Sequence, residues 1–283
     1  MDKVSIYIST FNRLERLKRA VASVLAQDYP EIEILICDDA STDGTKEFVE
    51  LLSKTEPKIK YIRNLKNKGA CVTRNLGIYS ATGKFITGLD DDDEFTKDRI
   101  SNFVQNWDND FSFLCCNFTN VYSNNKKEIN YKQEAWINTF TYKDLLYENK
   151  ASNQIFTLTE RLKNIGGFDA QVKRLQDWDT WLRLSYKYGD FKRLNIPTYM
   201  MHHNHSIEEM RVSTSYSYAD ALEDFINRNN HIYGQTDGFC MKNTVAYHKR
   251  QLSIGKAIKW MFLTKNPKNL ARYFYQFFDK KNV

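Results

Sequence analysis

The stretch Lys84-Phe85-Ile86-Thr87-Gly88-Leu89-Asp90-Asp91-Asp92-Asp93 carries an apolar segment straight into four consecutive carboxylates. Carboxylates this close repel one another unless a cation or solvent intervenes. In an extended segment alternate side chains share a face, so Asp90 and Asp92 point one way and Asp91 and Asp93 the other. Two hard oxygen donors spaced in this way suit Mn²⁺ or Mg²⁺ and leave coordination positions for substrate phosphates. A solvated acidic turn is the plainer reading of such a run, and the apolar strand Phe85 to Leu89 in front of it weighs against that reading. A calcium loop has little support, because Phe95 occupies the position where its tight turn takes glycine.

Outward from this segment, strands alternate with helices. Val4, Ile6 and Ile8 alternate as a strand, and Leu14, Leu17, Val21, Val24 and Leu25 recur at helical spacing. Ile32 to Ile36 is a second strand, ending at Asp38-Asp39. A helix with Phe48, Val49, Leu51 and Leu52 follows Ser41-Thr42-Asp43-Gly44. Ile59 to Ile62 reads as a third strand, Ala70 to Ser80 as a third helix, and Lys84 to Leu89 as a fourth strand. This order implies an α/β fold with a mainly parallel sheet covered on both faces. Such sheets bind ligands beyond the carboxyl ends of their strands, where the acidic clusters at 38–39 and 90–93 both fall. Further on, Val121-Tyr122 and Ile129 to Tyr131 flank a hairpin turn. Asp179 to Tyr188 is helical with Gly189 as its stop, and the chain is helical from 216.

Composition narrows the class. Of 283 residues, 42% are hydrophobic, enough for a sizeable core. The amino terminus lacks the basic leader and apolar core of a signal peptide, and no window offers the ~18 apolar residues of a membrane span. A cytoplasmic location follows as the expectation. Cys37, Cys71, Cys115, Cys116 and Cys240 lack zinc or disulfide spacing and read as buried free thiols. There is no G-x-x-x-x-G-K-[ST] and no G-x-G-x-x-G after the first strand, so a kinase or dinucleotide oxidoreductase is disfavoured. The net charge of +6 is uneven: Cys240 to Val283 carries ten basic residues against Asp279 alone, leaving the rest of the chain acidic.

Several motifs in order carry a family resemblance. Val4 to Arg13, Ile36-Cys37-Asp38-Asp39-Ala40-Ser41-Thr42-Asp43-Gly44-Thr45, Asn67-Lys68-Gly69 with Arg74-Asn75, and Leu89 to Asp93 are similar to the family 2 inverting glycosyltransferases. Gly166-Gly167-Phe168-Asp169 and Gln176 to Arg183 resemble that family's acceptor-side segments, so the likeness spans about residues 3 to 213. The resemblance implies a GT-A fold, Rossmann-like and mainly parallel, with a helical carboxyl-terminal extension. It divides the chain into a nucleotide-sugar-binding half (1–95), an acceptor-binding half (96–215) and the extension (216–283). It implies that Ser9, Thr10, Phe11 and Asp39 hold the uracil and ribose of a UDP-sugar, with Phe11 stacked on the base. Arg74 and Asp91 belong to the donor side, and Arg211 neutralises leaving phosphate. Asp92 and Asp90 bind Mn²⁺ or Mg²⁺, with His202 ahead of His203 as a further ligand. Asp177 deprotonates the acceptor hydroxyl, and Gln176, Trp178 and Asp179 line the acceptor. Two departures stand out: Gln176 replaces the usual glutamate, and Lys97 replaces a frequent proline. Taken singly, Asp39 also reads as a helix cap and Asp177 as a first-turn acid favoured by the helix dipole.

The overall look is similar to bacterial enzymes that extend O-antigen repeats on undecaprenyl diphosphate sugars. That similarity implies a UDP-hexose, glucose or galactose, added in β-linkage to a lipid-linked or saccharide acceptor. The basic, aromatic segment 240–283 reads as a peripheral contact with an anionic membrane, and nucleic acid is not an expected partner. A sugar-1-phosphate nucleotidyltransferase and a non-catalytic nucleotide- or carbohydrate-binding protein are the alternatives. Asp177→Asn or Asp92→Ala is predicted to abolish transfer, a loss of at least roughly a hundredfold, with the melting temperature unchanged. Near-normal turnover by either purified variant removes that residue from the mechanism.

Overall fold

The structure, a computed structural model, describes residues 1–124, 126–131, 138–152, 154–203 and 216–278. Strands β1 (Val4–Thr10), β2 (Ile32–Asp38), β3 (Ile59–Arg63) and β4 (Phe85–Asp90) pair in parallel in the order β3-β2-β1-β4. Every residue of β2 is buried, as a central parallel strand covered on both faces requires. Helices α1 (Leu14–Leu25), α2 (Thr45–Thr55) and α3 (Ala70–Ser80) make the crossovers. The periodic residues Leu17, Val21 and Val24 are the ones α1 buries, together with Ala20.

Register decides where the chemistry lies. Ser9 is level with Cys37 and Asp90, and Thr10 with Asp38. The acidic ends of β2 and β4 therefore emerge beside the end of β1, on one edge of the sheet.

Past β4 the sheet is mixed. Strand β9 (Phe156–Leu158) runs antiparallel between β4 and β6 (Leu114–Val121), and β10 (Phe191–His202) runs parallel to β6. β5 (Glu94–Phe95) pairs antiparallel with β10, as does β8 (Thr139–Phe140), and β7 (Lys127–Ile129) completes the expected hairpin with β6. Parallel pairing thus holds for the amino-terminal strands, while strand direction beyond β4 depends on connections that side-chain alternation does not encode. Helices α4 (Arg99–Asn106), α5 (Thr159–Asn164) and α6 (Gln176–Tyr188) complete this part. α6 begins at Gln176, three residues before the periodicity suggests, and ends at Gly189, whose φ of 98° only glycine adopts freely.

The described residues fall into two units: residues 1–171 with 176–203, and residues 172–175 with 216–278. The second unit holds the helices Tyr218–Arg228, Gln235–His248, Ile254–Thr264 and Lys268–Tyr275. Cys240, Leu252, Ala257 and Trp260 form a small core there. All five cysteines are free and buried.

At the amino ends of β1, β2 and β4 lies a buried carboxylate, Glu33. It accepts hydrogen bonds from Ser5 Oγ (2.6 Å), Thr82 N (2.6 Å) and Lys60 Nζ (2.9 Å). Burial alone would raise its pKa, but these donors outweigh burial and hold the carboxyl below the ordinary range. A depressed folded pKa means stability present above the unfolded value of about 4.3 and lost as the pH falls below it. Glu33→Gln should therefore cost about 2 kcal/mol at pH 7, with the gap to wild type narrowing in acid. Denaturant titrations at pH 7 and pH 3 that show the same gap would contradict this.

Candidate active site

Two loops at the carboxyl ends of β1 and β2 are tied together. Asn12 N donates to Ser41 Oγ (2.9 Å), Thr42 N to Asn12 Oδ1 (2.7 Å), and Leu14 N to Asp43 Oδ2 (2.9 Å). Phe11 stands 42% exposed at this edge. Ser9 is half-buried and Thr10 is buried. Asp39 is buried and occupied: it accepts from Asn64 Nδ2 (2.8 Å), Lys68 N (2.8 Å) and Gly69 N (2.7 Å). It thus organises the turn that starts α3 rather than capping α2.

The four carboxylates alternate in burial, but in a turn closed by Asp93 N on the Asp90 carbonyl (3.1 Å) and not in the extended run expected from the sequence. Asp91 and Asp93 are buried, while the side chains of Asp90 and Asp92 keep 22% and 17% of their surface exposed. Arg13 Nη1 lies 3.1 Å from Asp91 Oδ1 and 3.3 Å from Asp92 Oδ2. Arg19 donates to the Asp92 carbonyl and pairs with Glu94 at 3.2 Å. Asp93 accepts from Tyr199 Oη (2.7 Å) and His202 N (2.8 Å), which fastens the end of β10 to the acidic turn. Burial, then the neighbouring Asp92, pushes Asp91 up to about 6 against the pull of Arg13, and burial raises Asp93 well above the carboxylate range. His202 Nε2 lies 2.7 Å from Glu94 Oε1. Burial, and then Arg19, lowers the His202 pKa, so the imidazole is neutral at pH 7. His203 is elsewhere, at 2.7 Å from Asn120 Oδ1 and stacked on Tyr122. Arg211 and His205 lie outside the described residues.

Arg74 joins the acidic turn to α6. Its Nη2 donates to Asp90 Oδ1 (3.0 Å) and its Nη1 to Gln176 Oε1 (2.7 Å), and Nη1 also stands 4.0 Å from Asp177 Oδ1. The guanidinium lies over the Phe168 ring, 5.1 Å from its centroid. Phe168 is held in turn by Asn75, which accepts from its N–H (2.9 Å) and donates to its carbonyl (2.7 Å). On the other side Gln154 Nε2 donates to Asp90 Oδ1 (3.0 Å), and Tyr7 Oη donates to Gln154 Oε1 (3.2 Å). Gly88 makes room for this brace: a Cβ there would lie 2.2 Å from Gln154 Oε1 and 2.4 Å from Tyr7 Cζ.

Asp177 Oδ1 is buried and has no hydrogen-bond partner among the described residues. Burial pushes this carboxyl up to about 7, opposed by Arg74 and reinforced by Asp90. The rest of the α6 motif splits. Gln176 joins Asp177 at the site, whereas Trp178 and Asp179 point inward. Trp178 is buried with Nε1 donating to the Leu145 carbonyl (2.6 Å). Asp179 is buried against Arg183 (2.9 Å), itself anchored on the Ile165 and Gly167 carbonyls. The structure thus corrects the expectation that Trp178 and Asp179 line the acceptor. Burial and these partners turn both side chains into the protein. Tyr7, Gln154, Tyr199, Arg19 and Glu94 join the site without having been singled out in the sequence. Tyr7, like Arg13, sat within the quoted motif Val4 to Arg13, but no role was read for either.

The model of Glycosyl transferase family 2 matches residues 5–165. The chain belongs to this family. It is 36% identical over 218 residues to an Escherichia coli protein named as a colanic acid biosynthesis glycosyl transferase, WcaA, covering 75% of this chain and 76% of that one. A Campylobacter jejuni GalNAc(5)-diNAcBac-PP-undecaprenol beta-1,3-glucosyltransferase is 41% identical over 106 residues, 37% of this chain and 34% of its own. The fold is similar to that of S. aureus TarS 1-349 in complex with UDP-GlcNAc, with a TM-score of 0.66 at 18% identity over 97% of this chain and 90% of that one. The mannosyltransferase PcManGT from Pyrobaculum calidifontis, in complex with GDP-Man and Mn²⁺, has a TM-score of 0.56 at 17% identity, over 97% and 74% of the two chains. The chain is a glycosyltransferase with the GT-A fold.

If Asp177 takes a proton from the acceptor, only its ionised form works. The family 2 enzyme should then show kcat/KM rising with pH and levelling off above an apparent pKa near 7. A flat profile between about pH 5.5 and 8 would remove Asp177 from that role.

Proposed function

We propose that this glycosyltransferase moves a hexose from a UDP-sugar to a hydroxyl of a lipid-diphosphate-linked N-acetylhexosamine, inverting the anomeric centre. The observation that carries the reading is the Asp177 carboxylate, its Oδ1 without a hydrogen-bond partner among the described residues, held across Arg74 from the acidic end of β4. A base at one side and, at the other, carboxylates that would hold a charge-neutralising cation are what a single displacement needs. Asp177 accepts the hydroxyl proton as that oxygen bonds to the anomeric carbon, and the bond to the diphosphate breaks with its electron pair leaving on UDP. One displacement converts an α-linked donor into a β-linked product. Phe11 offers its exposed ring to the uracil, while Ser9, Thr10 and the loop organised by Asp39 form the wall beside it. Gln176 and Arg74 hold Asp177 and Asp90 at fixed separation, which preserves orientation through the reaction.

The residues present fit a divalent cation of a particular kind. Among the described residues no three His, Cys, Asp or Glu side chains form a ready-made metal cluster. The available donors are hard carboxylate oxygens, with Asp92 and Asp90 at the mouth and neutral His202 nearby. That set suits Mn²⁺ or Mg²⁺ completing its coordination with diphosphate oxygens. Asp92 would hold it with Asp90 and His202 in support, and the cation supplies charge neutralisation to the departing diphosphate.

The undecaprenol-linked substrate in the Campylobacter relative's name, and UDP-GlcNAc in the TarS complex, support the acceptor and donor classes. Glucose or galactose is the proposed sugar and the cytoplasmic face of a membrane the proposed workplace. No helix among the described residues is long and apolar enough to cross a membrane. Calorimetry provides the test. Mn²⁺ and UDP together should give a clear binding heat and raise the melting temperature, Mn²⁺ alone should bind at least tenfold more weakly, and Asp92→Ala should lose the cooperation. Flat traces with saturating Mn²⁺ and UDP would sink the proposal, and a panel of UDP-sugars assayed for UDP release then identifies the hexose.

A further inference from the structure

The helices Ile254–Thr264 and Lys268–Tyr275 each have a packed side and an open side. Ala257 and Trp260 are buried, and Leu270 and Tyr273 pack against the same small core. Gln276 fixes the end of this arrangement, accepting from Leu252 N (3.1 Å) and donating to the Leu252 carbonyl (2.8 Å). The open side is apolar as well. Ile254, Ile258 and Phe262 recur every fourth residue and are 47%, 39% and 70% exposed. Phe274, Phe277 and Phe278 follow at 51%, 64% and 79%. Scattered exposed apolar residues are ordinary; this many large ones on two short, packed helices mark an interaction surface.

Charge says what the surface meets. Residues 238–278 contain eight Lys and Arg and no Asp or Glu. Lys256, Lys259, Lys265 and Lys268 are all exposed among the apolar positions. A second copy of the chain would bring like charges together across a symmetric interface. An anionic bilayer supplies the opposite charge to the lysines and an apolar boundary layer to the phenylalanines. The helices have 11 and 8 residues, about 16 and 12 Å at the α-helical rise, against a hydrocarbon layer of about 30 Å. They are too short to span it.

We infer that the exposed face of Ile254–Thr264 and Lys268–Phe278 is a docking surface for anionic phospholipid bilayers, seated at the headgroup boundary through its phenylalanines and held there by its lysines. The inference deepens, and rests on, the proposal of a lipid-linked acceptor, because it gives the enzyme its own grip on the surface where such an acceptor resides.

The purified full chain is sedimented with vesicles of phosphatidylcholine alone or with about one-third phosphatidylglycerol, without donor or acceptor. Binding should require the anionic lipid and fall as salt is raised. Lys256→Glu/Lys259→Glu/Lys265→Glu should lower the partition coefficient at least roughly a hundredfold, from about a factor of five or more per lysine. Phe262→Ser/Phe277→Ser/Phe278→Ser should lower it comparably. These side chains are exposed, so both variants should keep the wild-type melting temperature and the heat of Mn²⁺–UDP binding. No binding by the wild type, or binding unchanged in the lysine variant, overturns the inference. So does a concentration-dependent dimer, seen by light scattering, that the phenylalanine variant abolishes, since a second copy then covers this face. Retained Mn²⁺–UDP binding with no vesicle binding discards only the docking surface, whereas vesicle binding without transfer to any lipid-linked acceptor discards only the acceptor assignment.

Discussion

The structure depends on one buried cation. Arg74 contacts Asp90 and Gln176 directly and stands 4.0 Å from Asp177. Without it, the end of β4 and the start of α6 would face each other with carboxylates and little to offset their repulsion. Its position is over-determined. Phe168 supports the guanidinium from one side, Asn75 pins Phe168, and Asp39 orders the turn from which the helix bearing Arg74 and Asn75 begins. The family motifs around 39, 67–75 and 166–169 are thus parts of one support, not separate signatures.

The same reasoning explains why three arginines attend the acidic turn. Arg13 meets Asp91 and Asp92, Arg19 meets Glu94 and the Asp92 backbone, and Arg74 meets Asp90. Burial raises the carboxyls of Asp91 and Asp93, and donors meet each of them: Arg13 for Asp91, and Tyr199 Oη with His202 N for Asp93. The less buried pair, Asp90 and Asp92, stands at the mouth. The buried members shape the turn.

Much of this was legible in the sequence because it depends on local periodicity. The apolar run of β4 placed the acidic cluster at a strand end, and α3 has the bounds read from the sequence, but Asp91 to Asp93 form a turn that strand alternation does not describe. What stayed hidden depends on contacts far apart in the chain. Gln154 reaches Asp90 across 64 residues and Tyr199 reaches Asp93 across 106, and neither lies in a recognisable motif. Tyr7 reads as an ordinary core residue of an alternating strand until Gln154 is seen beside its hydroxyl. Trp178 and Asp179 were misread because a motif supplies residue types but not the buried partners, Leu145 and Arg183, that claim them. Strand direction past β4 was hidden for the same reason.

Gly88 is the smallest residue in the fourth strand and among the most constrained. The volume a methyl group would need there is already filled by Gln154 and the ring of Tyr7. A methyl group at position 88 is therefore opposed from two directions at once. A larger residue can enter only if the Gln154 amide and the Tyr7 ring both give way, which would loosen the brace on Asp90.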